Sequence, residues 1–184
     1  MKAKTIALIL IPLNIILAYF VYNSINSEVE FNKEAKIRIA ENVQKLKDLR
    51  QVQGKYKQAK GIFADNFESL TYFLKNDSMT IIKAIGETPD SLTEIEALEL
   101  GIISRDTTYV PAKETVFNAT YIDSRKNEFP LDINILSTVP HSDAIYNIDA
   151  GQVEKGNVIV QVFEISTNYG TVFTGLDAKN KSYE

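Results

Sequence analysis

IALILIPLNIILAYFVY, residues 6–22, is an apolar run interrupted only by Pro12 and Asn14, and the chain passes straight from it into a polar stretch with helical periodicity. Seventeen residues at about 1.5 Å each reach roughly 25 Å, and continuing to Ile25 approaches the roughly 30 Å of a hydrocarbon core. One membrane crossing is therefore feasible, with little slack. Pro12 falls in the first third of the run, where membrane helices tolerate proline, and Asn14 offers a polar group for a helix–helix contact. Lys2 and Lys4 lie on one side, Glu28 and Glu30 follow on the other, and Tyr19, Phe20 and Tyr22 cluster at the far end as an aromatic belt would. The positive-inside bias then puts the N-terminus in the cytoplasm and the rest of the chain outside. A cleaved secretory signal is the competing reading. Tyr22-Asn23-Ser24-Ile25 lacks the small-x-small pattern of a cleavage site, so an uncleaved anchor is expected, with Ile6, Leu10, Pro12, Asn14, Leu17, Phe20 and Tyr22 in the bilayer.

Beyond the run the charge is asymmetric. Residues 33–60 hold nine basic side chains against three acidic ones, whereas residues 61–184 hold nine basic and nineteen acidic ones. Three explanations compete: a solvated helix face, attraction of the first turns to anionic headgroups, and docking of the basic stretch on an acidic partner or a second copy. Lys45, Lys47, Arg50, Lys55 and Lys57 are the candidate partner-binding residues. The acidic remainder and the outward topology argue against nucleic acid.

Apolar residues recur at Phe31, Ala35, Ile39, Val43, Leu46, Leu49, Val52 and Tyr56, a mean step of about 3.6, the period of an amphipathic helix. Asn23, Ser24, Asn26 and Ser27 read as a flexible joint before it, and Gly61 as its end. Asp65 and Glu68 suggest a capping box opening a short apolar helix through Leu70, Phe73 and Leu74 to Asn76. Met79–Ile85 reads as a strand, and Thr88-Pro89 opens a helix to Gly101. Later runs, Thr107–Val110, Ile133–Leu136, Ala144–Ile148, Val158–Ile165 and Thr171–Phe173, read as short antiparallel strands, with Val158–Ile165 central and Asn168-Tyr169-Gly170 turning a hairpin. The order predicts an α+β fold: a transmembrane helix (1–25), an amphipathic stalk helix (26–60), and a head (61–184) in which the stalk packs on a small antiparallel sheet.

No residue set announces a reaction. Without cysteine there are neither disulfides nor thiolate sites. His141 stands between Pro140 and Ser142-Asp143, but adjacent residues rarely converge as a triad does. Asp143, Asp149 and Glu154 lack the spacing of a calcium loop. Neither a phosphate-cradling glycine loop nor a zinc motif occurs. No catalytic residue, metal site or cofactor is expected.

Two resemblances follow from these residues. The apolar helix running into an amphipathic one, then Lys55-Tyr56 through Gly61-Ile62-Phe63-Ala64-Asp65-Asn66-Phe67-Glu68-Ser69-Leu70, then strands, is similar to the layout of type IV pilins and pseudopilins. Pilins carry a glutamate inside the apolar helix; here the first acidic residue is Glu28, so the resemblance implies the layout and not pilin-type processing. Leu49-Arg50-Gln51-Val52-Gln53, the Lys55–Leu70 stretch, Arg105-Asp106-Thr107-Thr108-Tyr109-Val110-Pro111 and Val162-Phe163-Glu164 resemble a family of single-pass envelope proteins of Bacteroidetes, which implies an envelope location and no particular activity. The expected function is that of a non-enzymatic interaction or scaffold protein, anchored in the inner membrane with its C-terminal part in the periplasm. Its expected partners are the bilayer and either another protein or further copies of itself. A pilin-like subunit of a secretion or fibre machine, and an envelope hydrolase or small-ligand-binding protein, are the alternatives.

Overall fold

The computed structural model describes residues 3–87, 89, 91–125, 128–156 and 158–176, with the side chains of residues 3–7, 9 and 84 left aside. The fold is α+β, and its first element decides the rest. α1 runs from Ala3 to Lys60 without interruption. The expected joint at residues 23–27 is helical: Asn26 donates to Glu30 and Asn32 to Glu28, each at 3.2 Å, so polar side chains four residues apart stitch adjacent turns instead of loosening them. Gly61 ends the helix as expected, at φ 83°, its N–H returning to the Lys57 carbonyl.

The chain forms two compact units. One comprises the residues up to Val43, Thr138–Ala144 and the residues from Thr167 onward; the other comprises Gln44–Ser137 and Ile145–Ser166. In the first, Phe31 and Ala35 of α1 are buried, with Val139, Val172 and Phe173, and the Phe31 ring meets Phe173 edge-on at 5.7 Å. Arg38 donates to the carbonyls of Val172 and Thr174, satisfying the end of the one-turn helix α6 (Tyr169–Val172). That helix replaces the expected strand at residues 171–173. The Asn168 carboxamide accepts from the Thr171 N–H, and a residue engaged as an N-cap starts a helix where a hairpin turn was expected.

The second unit holds the larger core: Leu49 and Val52 of α1, Leu70, Phe73 and Leu74 of α2 (Phe67–Asn76), and Met79, Ala97, Ile103, Ala112, Val116, Leu136 and Tyr146. Asn66, rather than Asp65, caps α2 through Ser69 N–H. β1 (Ser78–Ile85) pairs antiparallel with β2 (Ser104–Pro111), and between them lies α3 (Glu94–Glu99). α3 does not open at Thr88-Pro89: Thr88 lies outside the described residues, Pro89 accepts a turn bond from Leu92, and the helix begins after Thr93. Thr93 and Glu96 form a complete capping box, and the Thr93 N–H and hydroxyl hold the Glu96 carboxyl below its ordinary range. α4 (Ala112–Val116) and α5 (Ala119–Ser124) follow. Ile133–Ile135 is a 3-10 turn instead of a strand, because the Asp132 carboxylate takes the Asn134 N–H and turns the chain locally.

β3 (Asn147–Lys155) and β4 (Val158–Ser166) form a second antiparallel ribbon. β3 starts later than the expected Ala144, and β4 is not a central strand: among the described residues the ribbon has two members. The expected single sheet is thus two separate two-stranded ladders.

The buried face of α1 also departs from the apolar stripe. Val43 is exposed, while Asn42, Gln44, Asp48 and Gln53 are buried. Gln53 spans the turn after the helix, donating to the Ala64 carbonyl at 2.7 Å and accepting from the Ala64 N–H at 3.0 Å. One side chain thereby satisfies both polar backbone groups of a buried residue, as a neighbouring strand would. Replacing Gln53 with Leu keeps the volume but orphans both groups. The full-length protein in non-ionic detergent should lose about 1–3 kcal/mol in urea unfolding. A loss below about 0.5 kcal/mol would mean that Ala64 finds other partners.

Candidate membrane anchor and interaction surface

Three features qualify as candidate sites: the apolar part of α1, its basic residues, and a buried ion pair. Of the expected anchor residues, Leu10, Pro12, Asn14, Leu17, Phe20 and Tyr22 are all exposed. Ile6 lies outside the described side chains, as do Lys2 and Lys4. No part of the apolar window is covered by protein, and large apolar side chains stay uncovered through Leu8, Ile11, Ile15, Phe20, Ile25 and Val29. Burial starts two residues later, at Phe31. α1 is long and apolar enough near its N-terminus to cross a membrane.

Pro12 sits inside α1 without ending it. It lacks an N–H, so it adds no unpaired donor in an apolar surrounding. Asn14 donates to the Leu10 carbonyl one turn back at 2.9 Å. Its amide is thereby partly satisfied within its own helix, which reduces the need for a second helix to receive it.

The five basic candidates do not share one face. At about 100° per residue, Lys47, Arg50 and Lys57 fall within a sector of roughly 80° opposite the core stripe, whereas Lys45 points to the core side and Lys55 to a flank. Lys47 and Arg50 are exposed. Lys57 lies over the Phe63 ring at 4.4 Å, Lys55 donates to Gln58, and Lys45 has interactions of its own. The outward cationic surface of this stretch centres on Lys47 and Arg50.

The third feature was not foreseen from sequence. Asp48 is 1% exposed and lies opposite Arg125. Arg125 Nε donates to Oδ1 at 2.9 Å and Nη2 to Oδ2 at 2.8 Å, while Nη1 reaches the Phe129 carbonyl at 2.6 Å. The Tyr121 hydroxyl and the Gln44 amide complete the shell on Oδ1, at 2.8 and 3.1 Å. Burial, and then the bond to Asp48, push the Tyr121 hydroxyl well above its ordinary range. The carboxylate is enclosed by donors and holds no open position for a substrate. Its chemistry is structural: it ties α1 to the segment from α5 to Pro130.

The residues that invited catalytic or metal readings are dispersed. His141 Nε2 lies 2.8 Å from Glu41 Oε2, whereas the Ser142 hydroxyl donates to the Val139 carbonyl and accepts from the Ala144 N–H. His141 takes a positive φ of 62°, and its ring meets Glu41 of α1. Asp149 and Glu154 lie five residues apart on β3, roughly 16 Å along the strand and on opposite faces. Among the described residues no three His, Asp or Glu side chains gather to hold a metal. An open cleft of about 610 Å³, lined by Leu74, Phe117, Ile122, Leu131 and Ile133 with Lys75, Lys113, Glu114 and Asp132 at its walls, includes neither His141, Asp143 nor Asp149.

No family model, curated protein or solved structure matches this chain. Its function is therefore argued from its own residues.

Removing one member of the buried pair leaves the other charged and unpaired. Asp48→Leu or Arg125→Met should each cost about 3–5 kcal/mol, and the double variant should recover part of that loss. The Tyr121 proton gives a pH signature. Below the ordinary tyrosine value of 10.0 both folded and unfolded chains keep it; above, the unfolded chain ionises first, so stability falls as pH rises. Denaturant titrations of the full-length protein across alkaline pH, with Tyr121→Phe for comparison, check both.

Proposed function

We propose that this protein is a single-pass, membrane-anchored interaction protein of the bacterial envelope, working by contact rather than by catalysis. One observation carries the reading: α1 leaves its apolar side chains from Leu8 to Val29 uncovered and begins to bury residues at Phe31. A soluble helix would hide such a stripe, since a contiguous apolar surface of this extent has a large free-energy cost in water. A bilayer removes that cost. Lys2 and Lys4 before the run, with Glu28 and Glu30 after it, favour an N-terminus in the cytoplasm and the folded units across the inner membrane, in the periplasm.

Contact is favoured over catalysis because the polar side chains that could do chemistry are engaged in holding the fold. Asp48, Arg125 and Tyr121 satisfy one another, and His141 is turned toward Glu41. Lys47 and Arg50 offer an exposed cationic face to an acidic protein surface. The acidic composition beyond residue 60 speaks against nucleic acid as the partner. The likeness to single-pass envelope proteins of Bacteroidetes agrees with this reading. The likeness to pilins is kept as one of layout, an apolar helix continuous with the core helix of a folded part.

Crosslinking in intact membranes tests the proposal. The protein should stay in the pellet after alkaline carbonate extraction, and a neighbour crosslinked to it at low salt should be lost from Lys47→Glu/Arg50→Glu while thermal unfolding is unchanged. Release by carbonate would remove the anchor. Undiminished crosslinking of the variant would remove the basic face.

A further inference from the structure

Among the described residues β3 and β4 form a ribbon of two strands, so each presents one unpaired edge. The register divides its side chains between two faces. Ala150, Gln152 and Glu154 share a face with Phe163, Gln161 and Ile159, and this face brings Phe163 onto Phe63 at 4.7 Å between ring centres. The opposite face carries Asp149, Gly151, Val153 and Lys155 of β3 against Glu164, Val162, Val160 and Val158 of β4. Its four valines are uncovered, at 51, 42, 39 and 61% exposure for Val153, Val160, Val162 and Val158. The face also has an electrostatic fault: Asp149 sits directly opposite Glu164, and among the described residues neither has a cationic partner. Like charges across a strand pair are destabilising. The Ala150 N–H donates to the Asp149 carboxylate at 2.8 Å, a local side-chain bond that stands in for a missing neighbouring strand.

We infer that a second copy of this chain completes the ribbon, β3 pairing antiparallel with β3 of its twin about a two-fold axis at Gln152. Charge complementarity selects this occupant. In that register Asp149 of each copy lies opposite Lys155 of the other, twice by symmetry, and Gly151 lies opposite Val153. Read across the four strands, the outer rows become Glu164, Asp149, Lys155, Val158, so the cation reaches the repelling carboxylates. The inner rows become Val162, Gly151, Val153, Val160, a continuous apolar strip in which glycine leaves room for the facing valine. β4 offers no such selection, since Glu164 is its only charged residue. The pairing uses neither the apolar helix nor Lys47 and Arg50, so it stands apart from the proposed function.

The chain has no cysteine, so one introduced thiol reports without ambiguity. Gln152→Cys, in full-length protein reconstituted in phosphatidylcholine vesicles and mildly oxidised, should give a disulfide-linked dimer, because paired antiparallel residues lie within disulfide reach. Gln161→Cys, at the same level on β4, should not. Adding Lys155→Asp or Asp149→Lys to Gln152→Cys sets like charges opposite each other and should cut the dimer roughly tenfold. Adding both exchanges the two charges and should restore it, which excludes misfolding as the cause of the loss. Dimer through Gln161→Cys, dimer indifferent to the charges, or no dimer through Gln152→Cys would each overturn the inference.

Discussion

α1 runs without a break from an uncovered apolar stretch into residues that bury a core, so one helix has to meet two sets of demands. In its first part α1 meets them by composition: only Asn14 and Pro12 interrupt the apolar run, and Asn14 returns its amide to its own backbone. In its later part α1 buries polar residues beside the apolar Leu49 and Val52. Asn42, Gln44, Asp48 and Gln53 are buried on it, Asn42 and Gln44 bonding within the helix and Asp48 and Gln53 to groups beyond it.

Burying polar residues on α1 gives the later part of the helix a specific register. An apolar stripe alone tolerates sliding and rotation, whereas a carboxylate needs its guanidinium at hydrogen-bond distance. Arg125 reaches Asp48 from 77 residues away and also donates to the Phe129 and Pro130 carbonyls. A displacement of α1 by one residue would leave several charged or polar atoms unsatisfied at once. Gln53 does the same for the turn beyond Gly61. The energy of such pairs is small when both members are replaced and large when one is, so their main contribution is to the choice of one arrangement.

Reading the sequence succeeded where local pattern decides. The apolar run, the end of α1 at Gly61, the buried face of α2 and the strands near Met79, Thr107 and Val158 follow from periodicity and turn chemistry. It failed where a short polar side chain outweighed the pattern. Asp132 and Asn168 turned β-branched runs into helical turns, and Thr93 with Glu96 drew the start of α3 downstream. The candidate sites were legible unevenly. The apolar run is evident from composition, and the shared face of Lys47 and Arg50 from the helical period. The Asp48–Arg125 pair has no local signature, because neither residue lies in a motif and only the fold brings them together.

The most direct test is a scan of single cysteines carrying nitroxide labels through residues 8–60 of the vesicle-bound protein, reading accessibility to oxygen and to a water-soluble nickel complex. A continuous helix predicts oxygen-accessible labels through the apolar run, then water-accessible ones, then a periodic loss of both beginning at Phe31, with one angular phase from end to end. A loss of helical periodicity at residues 23–27, or water-accessible labels throughout residues 8–22, would contradict it.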